Sequence, residues 1–120
     1  MLVSILRQGD HLLASINAAL DDTEMRRFAE ALVERIGVER CRGVIIDVAA
    51  LDVLDSYGAH TIGTIAEMAR LRGAETVVVG VSPEIAFTMV RLGMSIANVH
   101  TALDLEQGLQ VLAGLTSRRP

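Results

Sequence analysis

The sequence predicts an α/β fold: one domain with a mixed β-sheet of four to five strands, an N-terminal antiparallel hairpin, and four covering helices. Short runs rich in β-branched residues, at 44–46 and 76–79, alternate with longer segments whose apolar residues recur every three to four positions. Two further apolar runs, at 2–7 and 11–16, are separated only by a Gln-Gly-Asp turn sequence, which predicts a hairpin. Strands that alternate with helices favour parallel pairing, so the hairpin makes the sheet mixed.

The predicted element order is β-β-α-β-α-β-α-β-α, and helix start signals support it. Asp21 or Asp22 is expected to begin the first helix, with Glu24 completing a capping box. Gly37 suits the position just after that helix, because glycine tolerates the left-handed conformation found there. The strand at 44–46 leads into a second helix.

The second helix is expected to end at Gly73, and the strand at 76–79 follows it. Ser82 then caps a short third helix, because a proline in the next position is favoured at the first helical residue. This helix is predicted to stop at Gly93, and residues 96–101 can form one more short strand.

The last helix is expected to begin after Asp104, with Gln107 completing a capping box, and to close at Gly114. The apolar side chains predicted to face inward from it are Leu105, Leu109 and Leu112. Residues 1–115 form the predicted domain, and residues 116–120 a flexible polar tail.

Composition excludes several classes of function. The three aromatic residues are too few to stack bases of single-stranded nucleic acid, and the eleven cationic residues are spread along a chain of net charge −4. No nucleic-acid partner is therefore expected. All eleven cations are arginines, so the chain has neither a P-loop lysine nor a Schiff-base lysine.

Cys41 is the one cysteine, which excludes an internal disulfide framework. The N-terminal segment becomes polar too soon for a secretory signal, and no window approaches the roughly 18 apolar residues needed to span a bilayer. We therefore expect a cytoplasmic domain that does not contact membranes.

The segment 43–58, GVIIDVAALDVLDSYG, is the candidate functional site, because it is predicted as a strand, a connection and a helix N-terminus. Loops that follow parallel strands commonly hold the sites of α/β sheets. At the junction, Ser56 is flanked by carboxylates. The simplest interpretation is that a hydroxyl or carboxylate there caps the helix.

Catalysis at Ser56 is disfavoured. A nucleophile elbow needs Gly-x-Ser-x-Gly, and Leu54 occupies the first glycine position although Gly58 occupies the second. His60 shares a helical face with Ser56, but no acid is placed to orient it. The protein is therefore predicted not to be an enzyme.

Metal binding is also disfavoured, and no cofactor is expected. Three carboxylates of the segment could approach a hard cation from one loop, but turn and cap chemistry explains them more simply. These are Asp47, Asp52 and Asp55. The chain's three histidines, His11, His60 and His100, are scattered.

Ser56 remains as a candidate modification site. A phosphate at a helix N-terminus is tolerated by the fold, because backbone donors and the helix dipole face it. It also adds about −1.5 to −2 charges beside Asp52 and Asp55. At ~6 Å and an effective dielectric of ~20, each charge pair costs about 3 kcal/mol, and less when solvated. The folded domain can survive this charge, whereas a partner bound at that surface is repelled.

The run VIIDVAALDVLDSYGAHTIG resembles the phosphorylation segment of STAS domains, the fold of anti-anti-sigma factors and of sulfate-transporter tails. The resemblance covers nearly the whole chain, including ALDD, LRGAETVVVGVSPEIAFTMVRLGM and TALDLEQGL, and is closest to the single-domain scaffold of the stressosome. It implies that Ser56 is the phosphoacceptor. Thr61 and Thr64 are secondary candidates by proximity only, and surface threonines of a helix are the simpler interpretation.

The resemblance also implies partners. Stressosome scaffolds assemble with STAS paralogues that carry N-terminal sensor domains, and they sequester a switch-type serine kinase until it phosphorylates the serine. A phosphatase resets that serine. The small size and the absence of a sensor domain favour the scaffold. The expected partner surface contains Asp52, Val53, Asp55, Tyr57 and Gly58. A stand-alone anti-anti-sigma factor that binds a single kinase, as a monomer or dimer, is the alternative.

Overall fold

The computed structural model describes residues 2–91 and 99–116. Its five strands are β1 (Val3–Gln8), β2 (His11–Ile16), β3 (Gly43–Asp47), β4 (Glu75–Val79) and β5 (Val99–Ala102). Its four helices are α1 (Asp22–Glu39), α2 (Ser56–Leu71), α3 (Pro83–Arg91) and α4 (Leu105–Thr116). The predicted element order and fold class are confirmed.

The strands form one sheet in the order β1-β2-β3-β4-β5. β1 and β2 pair antiparallel, and the other three pairs are parallel. Gly9 makes the tight turn between β1 and β2, with a φ of 62° that glycine adopts without steric cost. Because β2, β3, β4 and β5 run in one direction, their carboxyl ends meet at the same edge of the sheet.

Helices cover both faces of the sheet. On the first face, β2 alternates buried and half-buried residues, and its buried side chains pack in one core with those of α1, α2 and α3. On the second face, α4 packs over β3, β4 and β5. The buried side chains under α4 are Ile45, Val77, Val79 and Leu112. This arrangement leaves β3 buried on both sides, as its continuous apolar sequence predicts.

The predicted helix starts are confirmed. The Asp21 carboxylate accepts from the Glu24 N–H at 2.7 Å, and the Glu24 carboxylate accepts from the Asp21 N–H at 2.9 Å, which completes a capping box. The Ser82 hydroxyl accepts a backbone N–H at 3.1 Å. Asp104 accepts from the Gln107 N–H at 2.9 Å. The Gln107 side chain accepts from the Leu103 N–H instead of the Asp104 N–H, so this last cap differs from the predicted capping box.

Three predictions about helix ends and faces are wrong. α1 continues through Gly37 to Glu39 and ends at Arg40, which adopts the left-handed conformation with φ 53°. The exposed Arg72 side chain lies over Gly37, and a Cβ at this position would require its flexible guanidinium to shift. Gly114 lies within α4, and Leu105, the first residue of that helix, is 38% exposed.

Other predicted boundaries fall partly outside the described residues. The predicted stop at Gly93 and residues 96–98 of the predicted last strand lie there, and β5 is described from Val99. Thr116, predicted as the first residue of a tail, is the last residue of α4, and its hydroxyl donates to the Leu112 carbonyl at 3.0 Å. Residues 117–120 also lie outside the described part, so the flexible tail stays a prediction.

Candidate functional site

Ser56 is the first residue of α2, and its side chain is exposed. The N-cap is Asp55, whose backbone is extended (φ −79°, ψ 176°) and whose carboxylate accepts from the Gly58 N–H at 2.7 Å. The Ser56 hydroxyl has no hydrogen-bond partner among the described residues. Capping therefore belongs to the carboxylate, and the neighbouring hydroxyl is left facing solvent at the positive end of a 16-residue helix.

The loop before Ser56 is fixed to the carboxyl edge of the sheet. The Val48 N–H donates to the Val79 carbonyl at 3.0 Å, and the Asp47 carboxylate accepts from the Ala49 N–H at 2.9 Å. Gly80, with φ 77°, lets the two loops approach, since a Cβ there would lie 2.6 Å from the Ala49 Cβ. These contacts hold the loop that ends at Ser56 against β3 and β4.

Apolar side chains anchor the rest of this loop. Leu51 and Leu54 are 5% and 7% exposed and belong to the main core. Gly58 is buried because its missing side chain makes room for Leu54: a Cβ on Gly58 would lie 2.7 Å from the Leu54 Cδ1. Leu54 is thus the reason that this loop needs a glycine two residues after Ser56.

Four of the five predicted partner-binding residues are exposed around Ser56. Asp52 and Asp55 supply carboxylates, while Val53 and Tyr57 are 72% and 37% exposed. Gly58 is the fifth, and its burial makes it a packing residue of this surface. The exposed residues form an acidic and partly apolar surface, which we call the acceptor surface after the predicted role of Ser56: Asp52, Val53, Asp55, Ser56 and Tyr57.

A small cavity that the sequence did not predict opens beside the acceptor surface. Its volume is about 140 Å³. Its walls come from the end of β2, the start of α1 and the acceptor loop, including Ile16, Met25, Leu54, Tyr57 and the carboxylates of Asp22 and Asp55. Its lining therefore combines apolar side chains with two carboxylates. Only the tertiary fold brings residues 16–25 beside residues 51–58.

The site lacks the arrangement of an esterase. His60 is exposed one turn after Ser56, and within the described residues no hydrogen bond joins the two side chains or orients the imidazole with an acid. Removing a proton from Ser56 would require both contacts. The Ser56 hydroxyl is therefore exposed, and no side chain among the described residues is placed to activate it.

The candidate metal ligands are separated or already engaged. Asp47 and Asp55 accept backbone N–H groups, and His100 lies 3.7 Å from a Glu75 carboxylate oxygen on the neighbouring strand. Within residues 2–91 and 99–116, no group of three or more His, Cys, Asp or Glu side chains could hold a metal ion. None of the helices in that part of the chain has the length and apolar character needed to cross a membrane.

The two neighbouring threonines differ from the expectation of surface residues. Thr61 is only 8% exposed, and its hydroxyl donates to the Tyr57 carbonyl at 2.7 Å, so the surface interpretation is wrong for this residue. Thr64 is half-buried and donates to the His60 carbonyl at 3.1 Å. Both hydroxyls are satisfied by the helix, unlike that of Ser56.

Cys41 lies away from the site at the start of β3 and is 2% exposed. Burial raises the pKa of its thiol above the ordinary value of 9.0, which keeps the thiol protonated and unreactive.

Residues 3–108 match the sequence profile of the STAS domain family. The RsbT co-antagonist protein RsbRA of Bacillus subtilis is 34% identical over 100 residues, which is 83% of this chain and 36% of that protein. The RsbT co-antagonist protein RsbRB of the same organism is 33% identical over 73% of this chain and 32% of that protein. The chain thus spans about a third of the length of the curated relatives it matches.

Solved structures agree with the sequence matches. An RsbS variant from Moorella thermoacetica with a serine-to-glutamate substitution superposes with a TM-score of 0.86 and 31% identity, over 96% of this chain and 97% of that one. A chain of the stressosome, described as a signal integration and transduction hub, gives a TM-score of 0.78 and 29% identity over 97% and 100%. This chain belongs to the STAS domain family, and its relatives are RsbT co-antagonists and stressosome components.

Proposed function

We propose that this protein is a non-enzymatic stressosome scaffold that sequesters a switch-type serine kinase and releases it when that kinase phosphorylates Ser56. Release controls a stress-response or sigma-factor pathway, and a phosphatase acting on Ser56 restores binding. A STAS paralogue with an N-terminal sensor domain is the assembly partner. The similarity to RsbS and to a stressosome chain supports this assignment.

The proposal rests on one structural observation: Asp55 caps α2, and the neighbouring Ser56 hydroxyl is not needed for capping. Asp55 caps α2 at 2.7 Å, so the exposed Ser56 hydroxyl can be modified without removing the cap. A phosphate on Ser56 meets the helix dipole, which offsets part of its charge. The domain is therefore expected to stay folded in both states, as a reversible switch requires.

The same modification disfavours a bound kinase. Phosphorylation adds about −1.5 to −2 charges to the acceptor surface, where Asp52 and Asp55 are already exposed. Each phosphate–carboxylate pair formed across the interface at ~6 Å would cost about 3 kcal/mol at an effective dielectric of ~20, and water reduces this at an exposed site. A partner that places its own carboxylates or apolar side chains against this surface is therefore disfavoured after phosphorylation. After phosphorylation, Val53 and Tyr57 lie beside a strongly hydrated phosphate, so burying them against a partner becomes less favourable.

The site assignment is tested by labelling with the cognate kinase and radioactive ATP. We expect Ser56→Ala to abolish phosphate incorporation, while the matched control Thr64→Ala is labelled like the wild type. Thr64 lies on the same helix but donates to the His60 carbonyl. Undiminished labelling of the Ser56→Ala variant would show that another residue is the phosphoacceptor.

The scaffold role is tested by the size of the complex that this chain forms with a paralogue. Gel filtration of the chain mixed with a sensor-bearing paralogue should give a very large particle if the chain is a scaffold. Small complexes that persist with the paralogue, together with tight binding of one kinase, would instead favour the stand-alone anti-anti-sigma factor.

A further inference from the structure

His60 is an exposed histidine on α2, one turn after the candidate phosphoacceptor Ser56. Its backbone carbonyl accepts from the Thr64 hydroxyl at 3.1 Å. Within the described residues, its imidazole makes no hydrogen bond and no ion pair. The imidazole is therefore available to bind a group that is added nearby.

Helix geometry brings the side chains of Ser56 and His60 together. Residues four apart on an α-helix have Cβ atoms about 5–6 Å apart, so the two side chains lie on the same face of α2. Helical side chains also point back toward the helix N-terminus, which directs the His60 ring over the turn that contains Ser56. Both residues are exposed. A phosphate on Ser56 would therefore lie within reach of the His60 ring.

The other charged groups around His60 carry both signs. A groove between α1 and α2 is lined by His60 and by Arg26 and Glu30, which lie one turn apart on α1. The opposite charges of Arg26 and Glu30 largely offset each other at the imidazole. Before α2, Asp52 and Asp55 add two exposed carboxylates. A phosphate would be the largest single charge in this set, and the imidazole is the group that gains a proton most readily near neutral pH.

We propose that His60 binds the phosphate on Ser56 as an imidazolium, and thereby sets how much negative charge the phosphorylated acceptor surface carries. The inference rests on the proposed function, which supplies the phosphate, and it names the residue of this chain that receives it. The phosphate carries about −1.5 to −2 charges at neutral pH, and a paired imidazolium cancels about one of them. Because histidine gains and loses its proton between about pH 5 and 8, the charge that repels a partner is smaller at the acidic end of this range.

Phosphorus NMR tests the pair on a chain in which phosphoserine is introduced in place of Ser56 during translation, so that no kinase is needed. The phosphate should lose its second proton at a lower pH in this chain than in the same chain with His60→Gln. A unit charge ~6 Å away changes such a midpoint by about 0.5 pH unit at the dielectric constant of water, and by more where water is excluded. We therefore expect the two midpoints to differ by at least about 0.5 pH unit.

Two further variants separate a specific pair from a general change of charge. His60→Arg keeps a cation at this position, so its phosphate should titrate at a pH at least as low as that of the chain with His60. Arg27→Gln also removes a cation from the chain, but Arg27 lies on the side of α1 that faces β1, where it lines a groove with Leu2 and Val3. Its phosphate should titrate like that of the chain with Arg27. Circular dichroism should show an unchanged fold for these variants, because His60 and Arg27 are exposed.

Proton NMR of the histidine rings gives a second measurement that needs no substitution of His60. Phosphoserine in place of Ser56 should move the ring signals of His60. The ring signals of His11 and His100 should stay unchanged, because these residues lie on strands and on the face of the sheet that α4 covers, whereas α2 covers the other face.

Equal phosphate midpoints with His60 and with His60→Gln would overturn the proposal. So would an effect of Arg27→Gln as large as that of His60→Gln, or a ring response at His60 no larger than at the other two histidines. Because the phosphate is introduced without a kinase, each of these results leaves Ser56 as the candidate phosphoacceptor. Failure of the kinase to label Ser56 would instead overturn the proposed function and leave the NMR measurement valid.

Discussion

Replacing Gly58 by alanine probes the packing that holds the acceptor loop. The added methyl would lie 2.7 Å from the Leu54 Cδ1 and 3.2 Å from the Asp55 Oδ1. Leu54 is 7% exposed, so it can yield only by disturbing its core neighbours or by moving the loop that ends at Ser56. The change therefore strains the core and the helix cap together.

The magnitude follows from two opposing effects. Alanine in a helix is favoured over glycine by about 1 kcal/mol, whereas overpacking a core typically costs about 1–3 kcal/mol. We expect Gly58→Ala to be destabilising by about 0–2 kcal/mol. Gly114→Ala is the matched control, since Gly114 is also helical but a Cβ there meets nothing within 4 Å. That variant should be stabilised by about 0.5–1 kcal/mol.

Urea unfolding followed by circular dichroism measures both variants on the same scale. The difference between them, about 1–3 kcal/mol, is the quantity attributed to the contact with Leu54. Equal stabilisation by the two substitutions would refute the argument that Leu54 requires a glycine at position 58. A double variant in which Leu54 is shortened to alanine should remove most of the difference, because the colliding methyl groups are then absent.

Two further predictions concern groups outside the site. Hydrogen bonds from Arg35 and then Arg7 lower the pKa of Glu39 below its ordinary value of 4.5, so the ionised form contributes stability that is present above pH 4.5 and is lost as pH falls through the lower folded-state pKa. The Glu39→Gln variant should therefore be less stable than the wild type at neutral pH and should lose less stability as pH falls. Urea midpoints measured across the acid range check this. A wild-type loss of stability with falling pH in the variant would contradict the prediction. Burial raises the pKa of Cys41, so a thiol reagent should react slowly with the native chain and rapidly in urea, and equal rates would show that the thiol is accessible.

The fold was predictable because its signals are local. Asp21 with Glu24, Ser82 before a proline, and the β-branched runs each act within a few residues, and the structure confirms them. Gly37 shows the limit: glycine commonly follows a helix end, but α1 continues through this position, and the neighbouring Arg72 is 35 positions away in the chain. A glycine inside a helix can have the same local sequence as one that follows a helix end.

The site was predictable in its exposed part only. The acceptor surface lies within one short segment, so its carboxylates and Ser56 could be identified from spacing. The neighbouring cavity combines Ile16 and Met25 with Leu54, and no local pattern links those positions. The spacing of Leu51 and Leu54 signals that the loop has a buried side, but which core they enter depends on tertiary packing. The prediction that Thr61 is a surface residue was wrong because burial of its face of the helix also depends on tertiary packing.

The switch is tested by the affinity of the cognate kinase for two forms of this chain, unmodified and phosphorylated at Ser56, measured by calorimetry at one salt concentration. Phosphorylation should weaken binding by about tenfold or more, equivalent to about 1.4 kcal/mol, with the fold unchanged by circular dichroism. Higher salt should reduce the difference in kinase affinity between the two forms, because screening weakens exposed charge pairs. Equal affinity for the two forms would contradict the proposal that phosphorylation at Ser56 releases the kinase.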